Sequence, residues 1–193
     1  MADQPPAITP DQYVENLLKI TRLSRGIAQE AIKDMAPEPG SVGVDLGCGI
    51  RADSLLLGAA VGEGGRVIGL DPSPRMLEAA GAMVGGNGSL PGVEFREGSI
   101  HSLPLDDCSV DWIWCKDVFW PMPGMVERPV STLGELSRIL RPGGKVALLF
   151  WTAQTLLAGY PRLEALLGVQ LVESMPYLRG VPPSNTSSAQ PAG

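Results

Sequence analysis

The segment VGVDLGCGIRADS, residues 42–54, contains the features that decide the fold of this chain. A short apolar strand that carries Asp45 leads into a turn with Gly47 and Gly49, and a helical pattern starts directly after it. Glycine has no Cβ and reaches positive φ freely, so such a turn lets the backbone approach a ligand closely. The segment therefore predicts a buried strand, a ligand-binding turn and the start of a helix.

From Ser41 onward, short apolar strands alternate with helical stretches, as a parallel sheet covered on both faces requires. The predicted strands are Val42–Leu46, Arg66–Leu70, Val93–Arg96, Val110–Cys115 and Lys145–Trp151. The predicted helices are Ala52–Val61, Pro74–Val84 and Val130–Leu140, and RPGG at residues 141–144 supplies a turn before the last strand. This pattern predicts a Rossmann-like, doubly wound α/β fold with a mostly parallel sheet.

Four regions are expected along the chain: an N-terminal helical cap, the α/β core, a C-terminal helix with a further strand, and a disordered tail. They span residues 1–40, 41–152, 153–180 and 181–193, respectively. Within the cap, Thr9 and Pro10 are typical of a helix start, and a second short helix is predicted over Ile27–Met35. The tail is rich in Pro and Ser, a composition typical of disorder.

The composition argues against several classes of protein. The 193 residues include 15 Lys and Arg against 21 Asp and Glu, and this net charge of −6 has the wrong sign for binding nucleic acid through its phosphates. The longest apolar runs are too short to span a bilayer, and the first residues lack the apolar core of a signal peptide, so we expect a cytoplasmic protein. Three cysteines without CxxC spacing and a single histidine predict neither disulfides nor a metal site.

Two cofactor classes fit the glycine turn. Gly47, Gly49 and Ala52 match the GxGxxG/A pattern of dinucleotide-binding proteins, and Asp71 follows Gly49 by 22 residues, near the expected ribose-binding acid. A site for S-adenosylmethionine (SAM) also predicts Asp71 on the ribose hydroxyls. Asp45 distinguishes the two, because a carboxylate there would repel a pyrophosphate and attract a cationic amino-acid group. This favours SAM over NAD.

Four motifs, in order, resemble those of the class I SAM-dependent methyltransferases, and most closely the small-molecule and quinone-type branch, the methyltransferase domain 11-like proteins. They are VDLGCG in the first glycine motif, VIGLDPSPRMLEAA in the second strand with its ribose acid, EGSIHSLPLDDCSVDWI in the adenine loop and fourth strand, and LSRILRPGGKVALLFW in the fifth. The similarity covers residues 41–151 and implies a SAM-dependent methyltransferase.

The resemblance also implies a set of cofactor-binding residues. Gly47 and Gly49 would lie beneath the methionine part of SAM, Asp71 would bind the ribose, and Met76 would lie near the adenine face. The full set is Asp45, Gly47, Cys48, Gly49, Asp71, Pro72, Met76, Ser99, Ile100 and Lys116.

Two positions depart from the family pattern. Arg51 stands where the family has a third glycine, and Ser99 replaces the usual acid of the adenine loop. We expect Arg51 to be a solvated residue of the first helical turn, with contact to the SAM carboxylate or to an acidic substrate as the alternative. Ser99 can still hydrogen-bond adenine, but more weakly than a charged acid.

Aromatic residues predict both core and substrate pocket. Trp112 and Trp114 alternate onto one face of a strand and are expected to pack against a helix. Trp120 and Trp151 follow the carboxyl ends of strands, where open α/β sheets bind ligands, and are expected to line an apolar acceptor pocket. In the family the N-terminal region often closes over the site, which makes Tyr13 a candidate for the same pocket.

The sequence does not identify a catalytic residue. His101 and Asp117 are the candidates for an acid or base, although methyl transfer from a sulfonium can proceed through proximity and orientation alone. The main hypothesis is transfer of a methyl group from SAM to a small or lipid-like acceptor. The alternatives are a noncatalytic SAM-binding or partner-binding module, suggested by Arg51 and Ser99, and an NAD-dependent oxidoreductase.

The C-terminal strand hairpin that usually completes the sheet in this family is expected to be incomplete. The apolar strand KVALLFW would then lie at a sheet edge, which proteins normally cover or pair. A homodimer formed through this edge is one way to cover it.

Overall fold

The computed structural model of the protein describes residues 10–83, 91–118 and 129–150, all of which belong to one compact unit. These residues form five strands in a single sheet, together with four helices. The helices are α1 Pro10–Met35, α2 Ala52–Val61, α3 Pro74–Met83 and α4 Pro129–Ile139. The strands are β1 Val42–Leu46, β2 Arg66–Asp71, β3 Val93–Glu97, β4 Val110–Lys116 and β5 Leu140–Leu149. The regions predicted for residues 153–180 and 181–193 lie outside the described residues.

The order of the strands reverses at the centre of the sheet. The order is β3-β2-β1-β4-β5, and every adjacent pair is parallel. Because parallel crossovers are right-handed, α2 and α4, which lead from β1 and β4 in opposite directions, lie on opposite faces. This arrangement confirms the Rossmann-like, doubly wound α/β fold. It opens a crevice at the carboxyl ends of β1 and β4, the point where such sheets bind ligands.

The N-terminal part is one continuous helix, so the prediction of a separate second helix over Ile27–Met35 was wrong. Gly26 lies at the expected break, on the exposed side of α1, and a glycine there costs only about 1 kcal/mol. Burial of Ser24, Ala28 and Ile32 on either side of it keeps the helix on the sheet. Thr9, the predicted N-cap, lies outside the described residues.

The RPGG segment also differs from its prediction, because it lies within β5 rather than before it. Val110 of β4 pairs with Leu140, and Trp112, only two residues further along β4, pairs with Lys145. The chain between Leu140 and Lys145 therefore bulges away from the ladder, with Gly143 at a φ of 81°. The Pro-Gly-Gly sequence, which is typical of a turn, here marks a bulge inside a strand. As a result, β5 begins five residues earlier than predicted.

The main described core lies between one face of the sheet and helices α1 and α2. It contains Trp112 and Trp114, as predicted, packed with Ala28, Ile32, Leu57 and Val67. Trp112 lies beside Gly43 of β1, and a Cβ at Gly43 would come within 2.1 Å of its ring. The ring Nε1 of Trp112 donates a hydrogen bond to Ser41 Oγ at 2.9 Å. A glycine in the central strand thus provides the space for a buried indole.

Replacement of Gly43 by alanine tests this packing. We expect Gly43→Ala to lower the free energy of unfolding by about 1–3 kcal/mol, because the added methyl group overpacks the Trp112 ring. The matched control is Gly134→Ala in α4, where a Cβ meets no atom within 4 Å and should stabilise the helix by up to about 1 kcal/mol. Urea denaturation of both variants gives the comparison, and a Gly43→Ala variant as stable as the parent would contradict the packing.

Candidate functional site

A cavity of about 690 Å³ lies at the carboxyl ends of β1, β2 and β4. Residues from both sides of the strand-order reversal line it, together with the first half of α1. Its lining residues are Leu17, Ile20, Thr21, Asp45, Gly47, Cys48, Gly49, Ile50, Ala52, Asp53, Asp71, Pro72, Ser73, Arg75, Met76, Lys116, Asp117 and Val118. This is the crevice in which the sequence predicted a ligand.

The glycine turn forms one wall of the cavity and is fixed by the end of β2. The N–H groups of Gly47 and Cys48 donate to the Leu70 carbonyl oxygen at 2.7 and 3.0 Å. Gly47 and Gly49 both have positive φ, of 68° and 47°, which the missing Cβ permits. A Cβ on Gly47 would also come within 2.1 Å of Val118, so packing as well as backbone conformation requires glycine there.

Asp71 connects the turn to β2 through its side chain. Its Oδ2 accepts the N–H of Gly49 at 2.9 Å, and its Oδ1 accepts the N–H of Ser73 at 2.9 Å. The carboxylate is buried at the cavity wall. Each carboxylate oxygen can accept more than one hydrogen bond, so Asp71 can still bind the hydroxyl groups of a ligand.

Asp45 lies beneath the turn and is almost fully buried, with 2% of its surface exposed. Its Oδ2 accepts a hydrogen bond from Ser54 Oγ at 2.5 Å. The pKa of Asp45 is raised to about 8, first by burial and then by the nearby carboxylate of Asp53, whereas the hydrogen bond from Ser54 opposes the shift. The pKa of the Cys48 thiol is also raised, first by burial and then by Asp45 and Asp71, so it is a protonated, unreactive thiol.

Lys116 and Asp53 form a buried ion pair at the floor of the cavity. Their Nζ and Oδ2 atoms are 2.7 Å apart, and both side chains are nearly buried. Lys116 also donates to Ser24 Oγ of α1 at 3.4 Å, and Asp53 accepts from Trp114 Nε1 at 3.3 Å. Sequence reasoning placed Lys116 here but missed Asp53 and Ser24. An acid in the first turn of the helix after the glycine turn was the available signal for Asp53.

The first half of α1 lies against the turn and contributes Leu17, Ile20 and Thr21 to the cavity. Leu17 Cδ2 lies 3.3 Å from the position that a Cβ on Gly49 would occupy. Sequence reasoning expected a contact from this region but chose Tyr13, whose side chain lies outside the described part of the structure. The predicted pocket residues Trp120 and Trp151 are likewise outside the described residues.

Arg51 is not the solvated residue that the sequence suggested. It has a left-handed backbone at the start of α2, with φ of 68°. Its guanidinium donates to the Leu77 carbonyl of α3 and lies over the Phe95 ring, 4.1 Å from the ring centroid. These contacts join α2, α3 and β3, because a planar cation satisfies a carbonyl and an aromatic face together. Arg51 is not among the residues that line the cavity.

A smaller cavity of about 180 Å³ adjoins the first and shares Gly47, Pro72 and Val118 with it. Ser99, Ile100 and His101 line this smaller space. The His101 ring is exposed, and its Nδ1 lies 3.2 Å from Thr132 Oγ1 of α4.

Most of the predicted cofactor-binding residues surround the larger cavity, whereas the predicted adenine-loop residues surround the smaller one. The larger cavity has Asp45, Gly47, Cys48, Gly49, Asp71, Pro72, Met76 and Lys116. Asp117, a weak catalytic candidate, also lines it and has a left-handed backbone with φ of 58°. The two catalytic candidates therefore border different cavities.

Residues 44–148 match the model of a family described as the methyltransferase domain. Among curated proteins, an uncharacterised protein of a Streptomyces fradiae transposon is 36% identical over 157 residues, covering 80% of this chain and 43% of that protein. The demethylmenaquinone methyltransferase of Desulfitobacterium hafniense (strain Y51) is 33% identical over 138 residues, covering 70% of this chain and 52% of that enzyme. The chain thus spans about half the length of these curated relatives.

Solved structures agree with the sequence match. A SAM-dependent methyltransferase from Aquifex aeolicus aligns with a TM-score of 0.66 and 25% identity, covering 86% of this chain and 88% of that protein. The domain match, the strand order and the position of the glycine turn all point to one family. The chain belongs to the class I SAM-dependent methyltransferases, the family whose cofactor is S-adenosylmethionine.

Proposed function

We propose that this chain transfers the methyl group of SAM to a small or lipid-like acceptor. The observation that carries the proposal is the excess of carboxylates around the glycine turn. The charged residues that line the cavity are four acids, Asp45, Asp53, Asp71 and Asp117, and two cations, Arg75 and Lys116. Lys116 pairs with Asp53, which leaves Asp45 and Asp71 without a salt bridge in the described part of the chain. A ligand that brings positive charge to this wall complements it.

SAM brings that charge in its ammonium group and its sulfonium. In the proposed complex, Asp45 faces the ammonium group, Asp71 binds the ribose hydroxyls, and Met76 packs on the adenine. Ser99 and Ile100 lie along the adenine edge, where the hydroxyl of Ser99 provides a neutral hydrogen-bonding group. Gly47, Cys48, Gly49 and Pro72 shape the wall, and Lys116 lines the floor with its charge balanced by Asp53.

NAD fits the same wall poorly. A dinucleotide site directs free backbone N–H groups of the glycine turn at the pyrophosphate. Here the N–H groups of Gly47, Cys48 and Gly49 already donate to Leu70 and Asp71 at the end of β2. A pyrophosphate would meet carboxylates instead of donors, which argues against the oxidoreductase alternative.

The reaction requires little of the protein beyond orientation. When bound, SAM would supply an electrophilic methyl group. An electron pair of the acceptor would form the new bond as the carbon–sulfur bond breaks with its electron pair left on sulfur, and the acceptor atom would release the proton it carries. The walls of the cavity align the two reactants and exclude water. Asp117 borders the larger cavity and His101 the smaller, and either could accept a proton from the acceptor.

The identity of the acceptor is proposed from the relatives. A demethylmenaquinone methyltransferase at 33% identity supports a quinone-like acceptor, with an apolar pocket that includes Tyr13, Trp120 and Trp151. SAM tritiated in its methyl group and a short-chain demethylmenaquinone, reduced chemically to its hydroquinone so that the ring carbon is nucleophilic, provide the direct test. Label that passes into the quinone supports the proposal, and saturable SAM binding without transfer to this or any other small acceptor would favour the noncatalytic module.

The cellular setting and assembly are also proposals. Within residues 10–83, 91–118 and 129–150, no helix has both the length and the apolar character needed to cross a membrane. Cys48, Cys108 and Cys115 form no disulfide in the described part of the chain, which fits a reducing cytoplasm. Val146 and Leu148 of β5 are partly exposed, so a second copy could cover this strand, and light scattering of the purified chain would detect the dimer.

The division of the chain into four regions is a further proposal. Residues 1–40 would form the N-terminal helical cap, residues 41–152 the α/β core, residues 153–180 a C-terminal helix with a further strand, and residues 181–193 a disordered tail.

The ribose contact provides the first test of cofactor binding. We expect Asp71→Asn to weaken SAM binding by about 1.5–3 kcal/mol, because a charged acceptor is lost and an amide nitrogen now faces a backbone N–H. Isothermal titration measures this loss. The control is Asp111→Asn, whose carboxylate accepts the Val42 N–H at 2.8 Å but is absent from the lining of the SAM cavity, and it should leave SAM binding unchanged. Equal affinities for the two variants would contradict the site.

The raised pKa of Asp45 predicts a conflict between stability and binding. Between about pH 4 and pH 8 the folded protein keeps a proton on Asp45 that the unfolded chain has lost, so this group makes the fold less stable as pH rises. The Asp45→Asn variant has no group to ionise at this position. Its free energy of unfolding should therefore exceed that of the parent by an amount that grows from pH 5 to pH 9.

The expected gain at pH 9 is on the order of a few kcal/mol, while SAM binding is weakened because the partner of the ammonium group is lost. Thermal denaturation at pH 5, 7 and 9 measures the first effect, and isothermal titration the second. A stability difference that does not change with pH would show that Asp45 is ionised in the folded protein.

A further inference from the structure

Helix α1 carries a solvent-exposed apolar stripe next to the side that packs on the sheet. Ile20, Leu23 and Ile27 follow one another at helical spacing and are 47%, 82% and 50% exposed. Leu23 is the most exposed of the large apolar side chains in the described part of the chain. Three large apolar residues in one row make a contiguous patch rather than scattered surface residues, and such patches mark interaction sites.

Positive charge accompanies this stripe. Lys19 and Arg22 each precede a residue of the stripe and form the neighbouring row, and Arg25 adds a third cation. The segment 16–27 contains these three cations and no carboxylate, although the whole chain has a net charge of −6. Glu15 pairs with Lys19 at 2.9 Å, but no salt bridge to Arg22 or Arg25 is found among the described residues.

The stripe is continuous with the mouth of the larger cavity. Ile20 belongs to both, since it lines the cavity and remains half exposed. The neighbouring turn of α1 adds Leu17 and Thr21 to the cavity wall. Whatever binds the stripe therefore lies at the entrance to the site.

We propose that the Ile20–Leu23–Ile27 face of α1 docks on an anionic lipid surface and turns the mouth of the cavity toward it. An apolar helix face beside a row of cations is the pattern of helices that lie in the membrane interface. Such a face gains energy from the buried apolar area and from attraction between each cation and the anionic headgroups. If the methyl transfer proposed above also holds, an acceptor dissolved in the bilayer enters the cavity past Ile20.

A second copy of the chain is a poorer occupant of this face. A two-fold axis through Leu23 would bring the cations of one segment 16–27 close to those of the other, with no carboxylate in the segment to oppose them. Like charges at such an interface oppose association. The charge of the segment thus favours an anionic surface.

Vesicle cosedimentation of the full chain without SAM tests this proposal independently of methyl transfer. We expect binding to vesicles of equal parts phosphatidylglycerol and phosphatidylcholine, and little binding to phosphatidylcholine alone. Leu23→Glu should lower the partition coefficient at least about tenfold, because it puts a carboxylate in the middle of the apolar face. Arg22→Gln should lower it about fivefold on the anionic vesicles, the equivalent of one lost cation.

Leu133→Glu is the matched control, because Leu133 of α4 is also 50% exposed but lies outside α1. It should bind the anionic vesicles as the parent does, and circular dichroism verifies that all variants are folded. A parent chain that fails to bind the vesicles, or a Leu23→Glu variant that binds as well as the parent, would overturn the proposal. So would a concentration-dependent dimer that Leu23→Glu abolishes, which would assign the face to a second copy.

Discussion

The hydrogen bond from the Gly49 N–H to Asp71 Oδ2 is the contact on which the site depends. It joins the turn after β1 to the end of β2, and the Leu70 carbonyl reinforces the connection through Gly47 and Cys48. With these donors directed inward, the glycine turn presents no row of N–H groups to an anion. The same bonds hold the Asp71 carboxylate at the turn, near enough to the buried Asp45 to raise its pKa, so the wall around the turn is acidic and favours a cationic ligand.

Burial of those carboxylates has an energetic cost that the fold only partly offsets. Lys116 compensates Asp53, and Ser54 donates to Asp45, but the pKa of Asp45 is still raised to about 8, mainly by burial. A buried acid that lacks a cation in the free protein is a destabilising element unless a ligand supplies the charge. In the proposed complex the cationic cofactor supplies this charge, so cofactor binding would be gained at the expense of stability.

Helix α1 connects the site to the surface of the molecule. One side of the helix packs on Trp114 and its neighbours in the core, and Ser24 accepts a hydrogen bond from Lys116 at the cavity floor. The neighbouring side exposes Leu23. A single rigid helix therefore lines the cavity, contributes to the core and presents an apolar face to whatever approaches the entrance. Two separate short helices could not couple these three surfaces in the same way.

The sequence by itself determined the architecture and the position of the site. The bounds of α2, the burial of Trp112 and Trp114 and the location of the glycine turn all follow from local patterns, because strand and helix periodicity and glycine spacing are written along the chain. Tertiary structure alone decided that Arg51 binds Leu77 and Phe95, that RPGG forms a bulge within β5, and that Asp53 pairs with Lys116. Those outcomes depend on which distant residues meet across the sheet, and a one-dimensional pattern does not contain that information.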